Sequence, residues 1–468
     1  MVLLYGAIGT GVPHDEHRGG EESNEDSALL GNEAVSKPRE GHASIISSVS
    51  NLSNTIIGSG MLTFPLAMAS AGIIPGMITC AFSGAVCGFG LYLLTRCAPA
   101  TPHRRSSFFA VSQLTFPQAA VLFDAAVAIK CFGVSVSYLI IIKSLMPNVV
   151  ASIYHDLTSP DTNPPEWTLS GRNWVILIMV LLAPLSFLRK LDSLRYASYV
   201  AMFSVVYLVT IVITCYFRPL EGVPPAGEIH WIHFKPGFVA TLPVQIFSFT
   251  CAQNIFPIYN ELRTNSQQRL NTIVGTSIGG TVIIYEVIAI FGYLTFGSNV
   301  GANIIAMYPP TSLFIAVGQL AIVTLITFSY CLQVQPCRNC LDKIFNGKAL
   351  VKRAGEGELD EHVGGDMTVL KHVLLTGAIL LSGFVIAYNV DDLELVLSFV
   401  GSTGSTTVSF ILPGLLFWKL TKDDPRVSRL LNKSALALAV YGGFVFVFCF
   451  GFNIYRVVYP SSSKGLSH

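Results

Sequence analysis

Along most of this chain apolar residues run in blocks of about 20, unbroken by the alternation a half-buried strand would show. Eleven such blocks fall at 43–69, 71–95, 118–146, 172–188, 196–217, 237–261, 270–296, 312–334, 372–390, 394–418 and 434–458. Each has the length of a helix crossing a bilayer, the fourth and ninth being the shortest. A β-barrel is excluded, because its strands would alternate over about ten residues. Residues 1–42 are different. They hold eight acidic residues with many Gly and Ser, too little apolar surface to order themselves, so the pattern predicts a disordered cytosolic tail. No basic stretch precedes Met1–Ile8, which does not read as a signal peptide. The longest connector, 335–371, reads as a solvated cytosolic loop, and 459–468 as a short tail.

Composition agrees. Only 12% of the 468 residues are charged, and the mean hydropathy is +0.57. A soluble chain carries about 25% charge. The net charge of +1 and the lack of a long basic stripe argue against nucleic-acid binding. Lys and Arg then set orientation. With the N-terminus in the cytosol, 22 fall on cytosolic segments and five opposite, while Lys130 and Lys143 lie inside the third span. An odd number of spans puts the C-terminus on the far side. Trp167, Trp174, Trp231 and Trp418 fall at span ends or in loops, where indoles sit best.

Two spans are interrupted. The first carries Gly58-Ser59-Gly60 near its middle, and each Gly weakens a helix by about 1 kcal/mol relative to Ala. A broken helix here would offer the N–H groups of Ser59, Gly60 and Met61, and its dipole, to a carboxylate. A small-residue packing face between helices is the alternative. The sixth span gathers Thr250, Gln253 and Asn254 between Pro243 and Pro257, and Pro disrupts a helix. The interruptions are five spans apart, and spans one and six start on opposite sides. That predicts a five-plus-five inverted repeat, about 43–217 and 237–418, with 434–458 as an extra helix.

Charges inside spans are costly, at least about 2.5–3.5 kcal/mol at the bilayer centre. Lys130 in span three and Glu286 near the middle of span seven are therefore candidate functional groups. A carboxylate that takes up a proton could couple proton flow to substrate movement, and the Lys could stand in for a structural cation. A structural bond from Glu286 to helix hydroxyls is the other reading. Asp124 and Lys143 lie nearer the span ends, within reach of polar groups by snorkelling.

The sequence resembles the amino acid/auxin permease family of the amino acid–polyamine–organocation superfamily, nearest its fungal vacuolar amino acid transporters and more distantly the animal sodium-coupled neutral amino acid transporters. The resemblance covers about 43–458. It is carried by Asn54 to Leu62 with Pro65, by Lys130 to Gly133 with Ser137 to Ile142, by Asn254 to Glu261, by Phe291 to Gly297, and by Gly401 to Thr403 with Phe410 to Gly414. It implies a substrate site where the unwound parts of spans one and six meet. Here that means Ile57, Gly58, Ser59, Gly60 and Met61, with Phe249, Thr250, Gln253 and Asn254. In sodium-coupled relatives a span-one Asn and span-eight hydroxyls hold the ion. Asn54, Thr324, Thr327 and Ser329 match those roles, although each Thr could instead bond back to its own helix.

Weaker signals remain. Cys337-Arg-Asn-Cys340 lacks a second pair or a nearby His, so zinc is not expected, and a helix-end thiol pair is the simpler reading. Glu25 with Leu29 and Leu30 has the form of an acidic dileucine signal for a sorting adaptor. Asn51-Leu-Ser53 is a sequon inside a span. No Walker A motif, paired carboxylates or metal-ligand cluster occurs, so neither an enzyme nor an organic cofactor is expected. The combined expectation is an all-α polytopic membrane protein with eleven transmembrane helices, moving amino acids by alternating access, proton-coupled and vacuolar. The alternatives are a sodium-coupled plasma-membrane amino acid transporter and an amino acid receptor or transceptor that signals through its cytosolic segments.

Overall fold

In this computed structural model, residues 41–102, 104–117, 119–157, 164–188, 197–354 and 367–459 are described. They lie in one compact unit, Glu40–His468. Residues 1–40 of the tail expected at 1–42, including Glu25, Leu29 and Leu30, lie outside the described residues, as does 460–468. Among the described residues every extended element is a helix. The one β feature is an isolated parallel bridge between Ala43 and Leu262.

The first span is α1 (Ile45–Ile56) and α2 (Phe64–Ala71), joined through a 3₁₀ turn at Ser59–Thr63 and bent by 51°. After α3 (Ile73–Cys97) and the short α4 (Phe108–Leu114) comes α5 (Ala119–Leu157). The next elements are α6 (Glu166–Leu169), α7 (Gly171–Ser186) and α8 (Ala197–Phe217). The sixth span is divided into α9 (Phe238–Ser248) and α10 (Ile255–Glu261) around a 3₁₀ turn at Ala252–Asn254. Then follow α11 (Gln267–Phe296), α12 (Leu313–Ala354) and α13 (Val369–Asn389). The tenth span starts as α14 (Leu393–Val400), passes through π-helical turns at Gly401–Ser405 and Thr407–Ile411, and ends as α15 (Leu412–Thr421). The last is α16 (Arg429–Val458). Among the described residues eight helices are long and apolar enough to cross a membrane alone, and the bent first pair makes a ninth. The expected fourth and sixth spans appear as the 16-residue α7 and as the divided α9 and α10.

Packing follows from small residues and an apolar exterior. Cβ atoms added at Gly401 and Gly404 would collide with backbone of Pro243 in α9 and of Ala126 in α5. The π-helical turns can therefore lie flush against both helices. Outward positions are large and apolar, such as Val447 at 71% exposure and Val180 at 69%. Such a surface suits hydrocarbon rather than water. Local chemistry sets the helix starts: Ser44, Ser107 and Asp392 accept hydrogen bonds from Ser47, Ala110 and Leu395 N–H at 3.2, 3.0 and 2.9 Å. At the α2–α3 corner Gly72 takes a φ of 90°, and a Cβ there would also meet Trp231 O at 2.8 Å.

Connections divide between two faces. On one, Ala43 N donates to Glu261 O at 2.9 Å, and Arg104 donates to the carbonyls of Asn260, Leu262 and Arg263 at 2.8, 2.8 and 3.1 Å. On the other, the loop after α8 pairs with the α2–α3 corner through Ile73 N to His230 O and His233 N to Ala71 O. The start of span one, the loop after span two and the end of span six thus share a side.

Three expectations need correction. The connector expected at 335–371 begins as helix, because α12 continues to Ala354. Cys337 and Cys340 consequently sit buried inside a helix and not at its end. Lys143 does not snorkel. It is buried, donates to the carbonyls of Ala387 and Tyr388 at 3.0 and 2.9 Å, and pairs with Asp391 at 2.6 Å, closing the C-terminus of α13. A cation at that end also complements the helix dipole.

Candidate functional site: two helix breaks held together

α1 stops where Ile57 and Gly58 turn to extended backbone, Ile57 N–H donating to Ser53 O at 2.9 Å as the last helical bond. α9 stops at Ser248, and Phe249 to Cys251 run irregularly before the next turn. The breaks abut. A Cβ on Gly60 would lie 2.7 Å from Ser248 Cβ and 3.1 Å from Ser248 Cα. The Gly60 side of the break is therefore a helix contact, whereas a Cβ on Gly58 would have nothing nearer than 3.9 Å.

Both breaks leave carbonyls without an intrahelical partner. Tyr285 of α11 reaches two of them, its hydroxyl lying 2.9 Å from Ile56 O and 3.2 Å from Ser248 O. A phenol has one proton, so the two acceptors share it or alternate. The Tyr285 ring packs at 4.5 Å on Phe64 and 5.2 Å on Phe249, centroid to centroid. Phe249, expected at the substrate site, is fully buried in this aromatic cluster.

The other expected substrate residues surround the junction. Ser59 Oγ lies 3.3 Å from Ser137 Oγ of α5. Thr250 donates to Ile246 O at 2.9 Å and accepts from Ser409 of the second π-helical turn at 3.3 Å. Asn254 Nδ2 donates to Thr55 Oγ1, tying the far side of one break to the near side of the other. Ile57 and Gln253 are half-buried, and Gln253 makes no side-chain hydrogen bond among the described residues. Met61 is buried, and its N–H donates to Gly58 O at 3.2 Å. The expectation of a free amide at Met61 is corrected: the 3₁₀ turn consumes it, leaving Ser59 and Gly60 at the opening of that turn.

The expected ion groups are less gathered. Thr324 and Thr327 donate to Leu320 O and Val323 O of their own helix at 2.8 and 2.7 Å. Only Thr327 is buried; Ser329 is half-buried on the same helix. No hydrogen bond joins Asn54 to these hydroxyls among the described residues. Lys130 is buried at 5% exposure on α5, its backbone N 2.9 Å from where a Cβ on Gly404 would be. It forms no ion pair among the described residues. Glu286 follows Tyr285, faces Cys80 of α3, and holds one carboxylate oxygen buried with no hydrogen-bond partner.

Sequence reasoning passed over Tyr285 and Gln245. Gln245 of α9 is 1% exposed and donates to Thr79 at 3.2 Å, while its carbonyl oxygen is buried without a partner. The amide is visible in the sequence, but nothing there marks it as unsatisfied.

Comparisons with known proteins bear on this arrangement. The family described as "Transmembrane amino acid transporter protein" matches residues 41–457. "Vacuolar amino acid transporter 5" of Schizosaccharomyces pombe is 41% identical over 426 residues, 89% of this chain and 96% of its own. "Vacuolar amino acid transporter 6" of Saccharomyces cerevisiae is 34% identical, covering 87% of this chain and 98% of its own. Among solved structures, MhsT in complex with L-phenylalanine superimposes with a TM-score of 0.53 at 13% identity, over 88% of this chain and 99% of that one. That likeness concerns the fold alone.

Proposed function

The chain belongs to the transmembrane amino acid transporter protein family, and from that premise we propose that it carries amino acids across the vacuolar membrane by alternating access, driven by protons. The observation that carries this reading is the meeting of two broken spans under Tyr285. Helix breaks inside a membrane are tolerated where the freed backbone faces protein or a cavity. Here one freed carbonyl from each span already has a protein partner, while a Cβ on Gly58 would meet nothing nearer than 3.9 Å. A zwitterion fits that chemistry: its carboxylate meets the amides of Ser59 and Gly60, and its ammonium meets Thr250, Asn254 or the oxygen of Gln253.

Proton coupling rests on Glu286. Its carboxylate lies one residue from Tyr285, with a buried oxygen that has no partner. Holding it neutral is the cheaper state in hydrocarbon. Sodium retains a structural argument, because a hydroxyl donating to its own helix keeps lone pairs for a cation, and Thr327 faces inward. The repeat boundaries at about 43–217 and 237–418, the cytosolic N-terminus and the lumenal C-terminus belong to the same reading. They are supported by the positions of the two breaks and by the distribution of Lys and Arg.

The test is transport by purified protein in liposomes with a pH gradient and no sodium. Proton coupling predicts amino acid flux that a protonophore abolishes and sodium leaves unchanged. Flux that follows a sodium gradient at constant pH overturns the proton assignment. Saturable binding without flux under any gradient identifies a receptor.

A further inference from the structure

On the face carrying the loop between α8 and α9, an open vestibule of about 100 Å³ is bordered by Ser70, Lys235, Thr241, Glu394 and Arg456. A smaller chamber beneath it, about 10 Å³ and so with room for about one water, shares Leu66, Thr241 and Glu394 and reaches Thr63, Phe64 and Gln245. Thr63 donates to Gly60 O at 2.8 Å, so the chamber ends against the span-one break. Glu394 stands where the two spaces meet.

Glu394 is bound to Arg456 at 2.9 Å, the side chains being 16% and 17% exposed. Each sits at the helix end that suits its charge, Glu394 in the first turn of α14 and Arg456 in the last turn of α16. Withdrawing both charges from water is costly, and an apolar pair would often brace two helices as well or better. The pair has a property that an apolar brace lacks. A zwitterion can replace each partner of the pair with the opposite end of itself, so neither charge is left unpaired at any moment. The surroundings are sorted in the same sense. Arg456 faces the vestibule together with Lys235, which forms no ion pair among the described residues. Glu394 borders the inner chamber together with Gln245, whose carbonyl oxygen is buried and without a partner. Cationic donors lie outside and acceptors lie inside.

We infer that Glu394, Arg456 and Gln245 form an entry subsite for zwitterionic amino acids, separate from the helix-break site and rests on the transport reading above. The amino acid opens the ion pair in the vestibule and gives its carboxylate to Arg456 and its ammonium to Glu394; passage onward, ammonium first toward the oxygen of Gln245, requires the chamber beneath to widen. Glu394 and Arg456 are specificity residues under this assignment, and α16 takes part in substrate entry.

The experiment uses the full-length protein in liposomes. All twenty labelled L-amino acids are screened on the wild type, and the best-transported one becomes the probe. Glu394→Gln strands Arg456 and can impair folding, so the decisive variant is Glu394→Met with Arg456→Met, which keeps an apolar brace. The subsite predicts a KM for the probe raised about fivefold or more, with Vmax per folded protein changed less than twofold. It also predicts that the wild type prefers the probe over its carboxamide and its deaminated acid as competitors, and that this preference shrinks in the double variant. An unchanged KM and unchanged competition, at any abundance, show that the pair only braces α14 against α16 and overturn the subsite. A wild type neither carrying nor thermally stabilised by any of the twenty sinks the transport reading and the subsite together. Transport with unaltered KM in the variant sinks the subsite alone.

Discussion

Tyr285 donates its phenolic proton to the carbonyl oxygen of Ile56, 229 positions earlier in the chain, at 2.9 Å. Ile56 is the last residue of α1, and Ser248 O, the second acceptor, ends α9. One side chain on an unbroken helix therefore gathers the C-terminal ends of two broken ones. Tyr285→Phe keeps the ring packing and removes the donor. A buried carbonyl left without a partner costs about 1–3 kcal/mol. The variant is expected to reach the membrane at near wild-type abundance and to lose at least about tenfold in transport rate, measured as initial uptake into liposomes. Full transport by Tyr285→Phe would show that the breaks hold their shape without it.

Gly58 and Gly60 lie two residues apart and should respond differently to the same substitution. Gly60→Ala drives a methyl group into Ser248, whose Cα would be 3.1 Å away, so the two breaks must separate. Gly58→Ala meets nothing nearer than 3.9 Å. Uptake should fall steeply in Gly60→Ala and recover in part when combined with Ser248→Gly, which removes the obstructing side chain. Gly58→Ala should leave thermal stability within about 0.5–1 kcal/mol of the wild type and act, if at all, on substrate KM. Equal loss of stability in both single variants would contradict the contact assigned to Gly60.

How far the sequence anticipated this follows from what each residue needs. The breaks fall at Gly58 to Gly60 and between Pro243 and Pro257 because Gly and Pro act locally, on their own backbone. The first π-helical turn lies on the Gly401-Ser402-Thr403 motif, and the Thr406 hydroxyl donates to Gly401 O five residues back at 2.7 Å. Sequence periodicity does not separate such a turn from ordinary helix. Tyr285 and Lys143 were illegible for another reason. Each acts on carbonyls that only tertiary folding delivers, Lys143 on the end of α13 more than 240 positions away. A lysine a few residues from a span end looks the same whether it snorkels or caps a neighbour. Thr324 and Thr327 show the converse. Their spacing allows a shared face, but only Thr327 is buried.

Lys143 offers a stability test apart from transport. Its ammonium serves at least two terminal carbonyls of α13 from a position 9% exposed, while Asp391 is 73% exposed. The exposed carboxylate should matter little, about 0–1 kcal/mol. Hydrogen bonds from a buried charged donor are stronger, about 1.5–3 kcal/mol. Lys143→Met should lower the thermal unfolding midpoint in detergent by several degrees, and Asp391→Asn should barely change it. The reverse order would place the stabilising interaction in the ion pair instead of the cap.

The driving ion turns on Glu286. A carboxylate that carries the coupling proton must be able to lose it on one side and regain it on the other. Gln has nearly the same shape and cannot titrate. Glu286→Gln should therefore bind substrate and exchange it, labelled for unlabelled, at rates near the wild type. Net accumulation driven by a pH gradient should fall at least about tenfold. Glu286→Asp keeps the titrating group on a shorter stem and should retain part of the gradient-driven flux. This pairing of variants separates coupling from structure. If Glu286 only bonds to neighbouring groups such as Cys80, Gln can replace it and Asp, which is too short, should be the more damaging change. Liposomes with an acidic interior, no sodium and a protonophore control read both quantities in one preparation. Undiminished accumulation by Glu286→Gln would exclude it as the proton carrier. The inward-facing Thr327 and Asn54 would then be the groups to test under a sodium gradient.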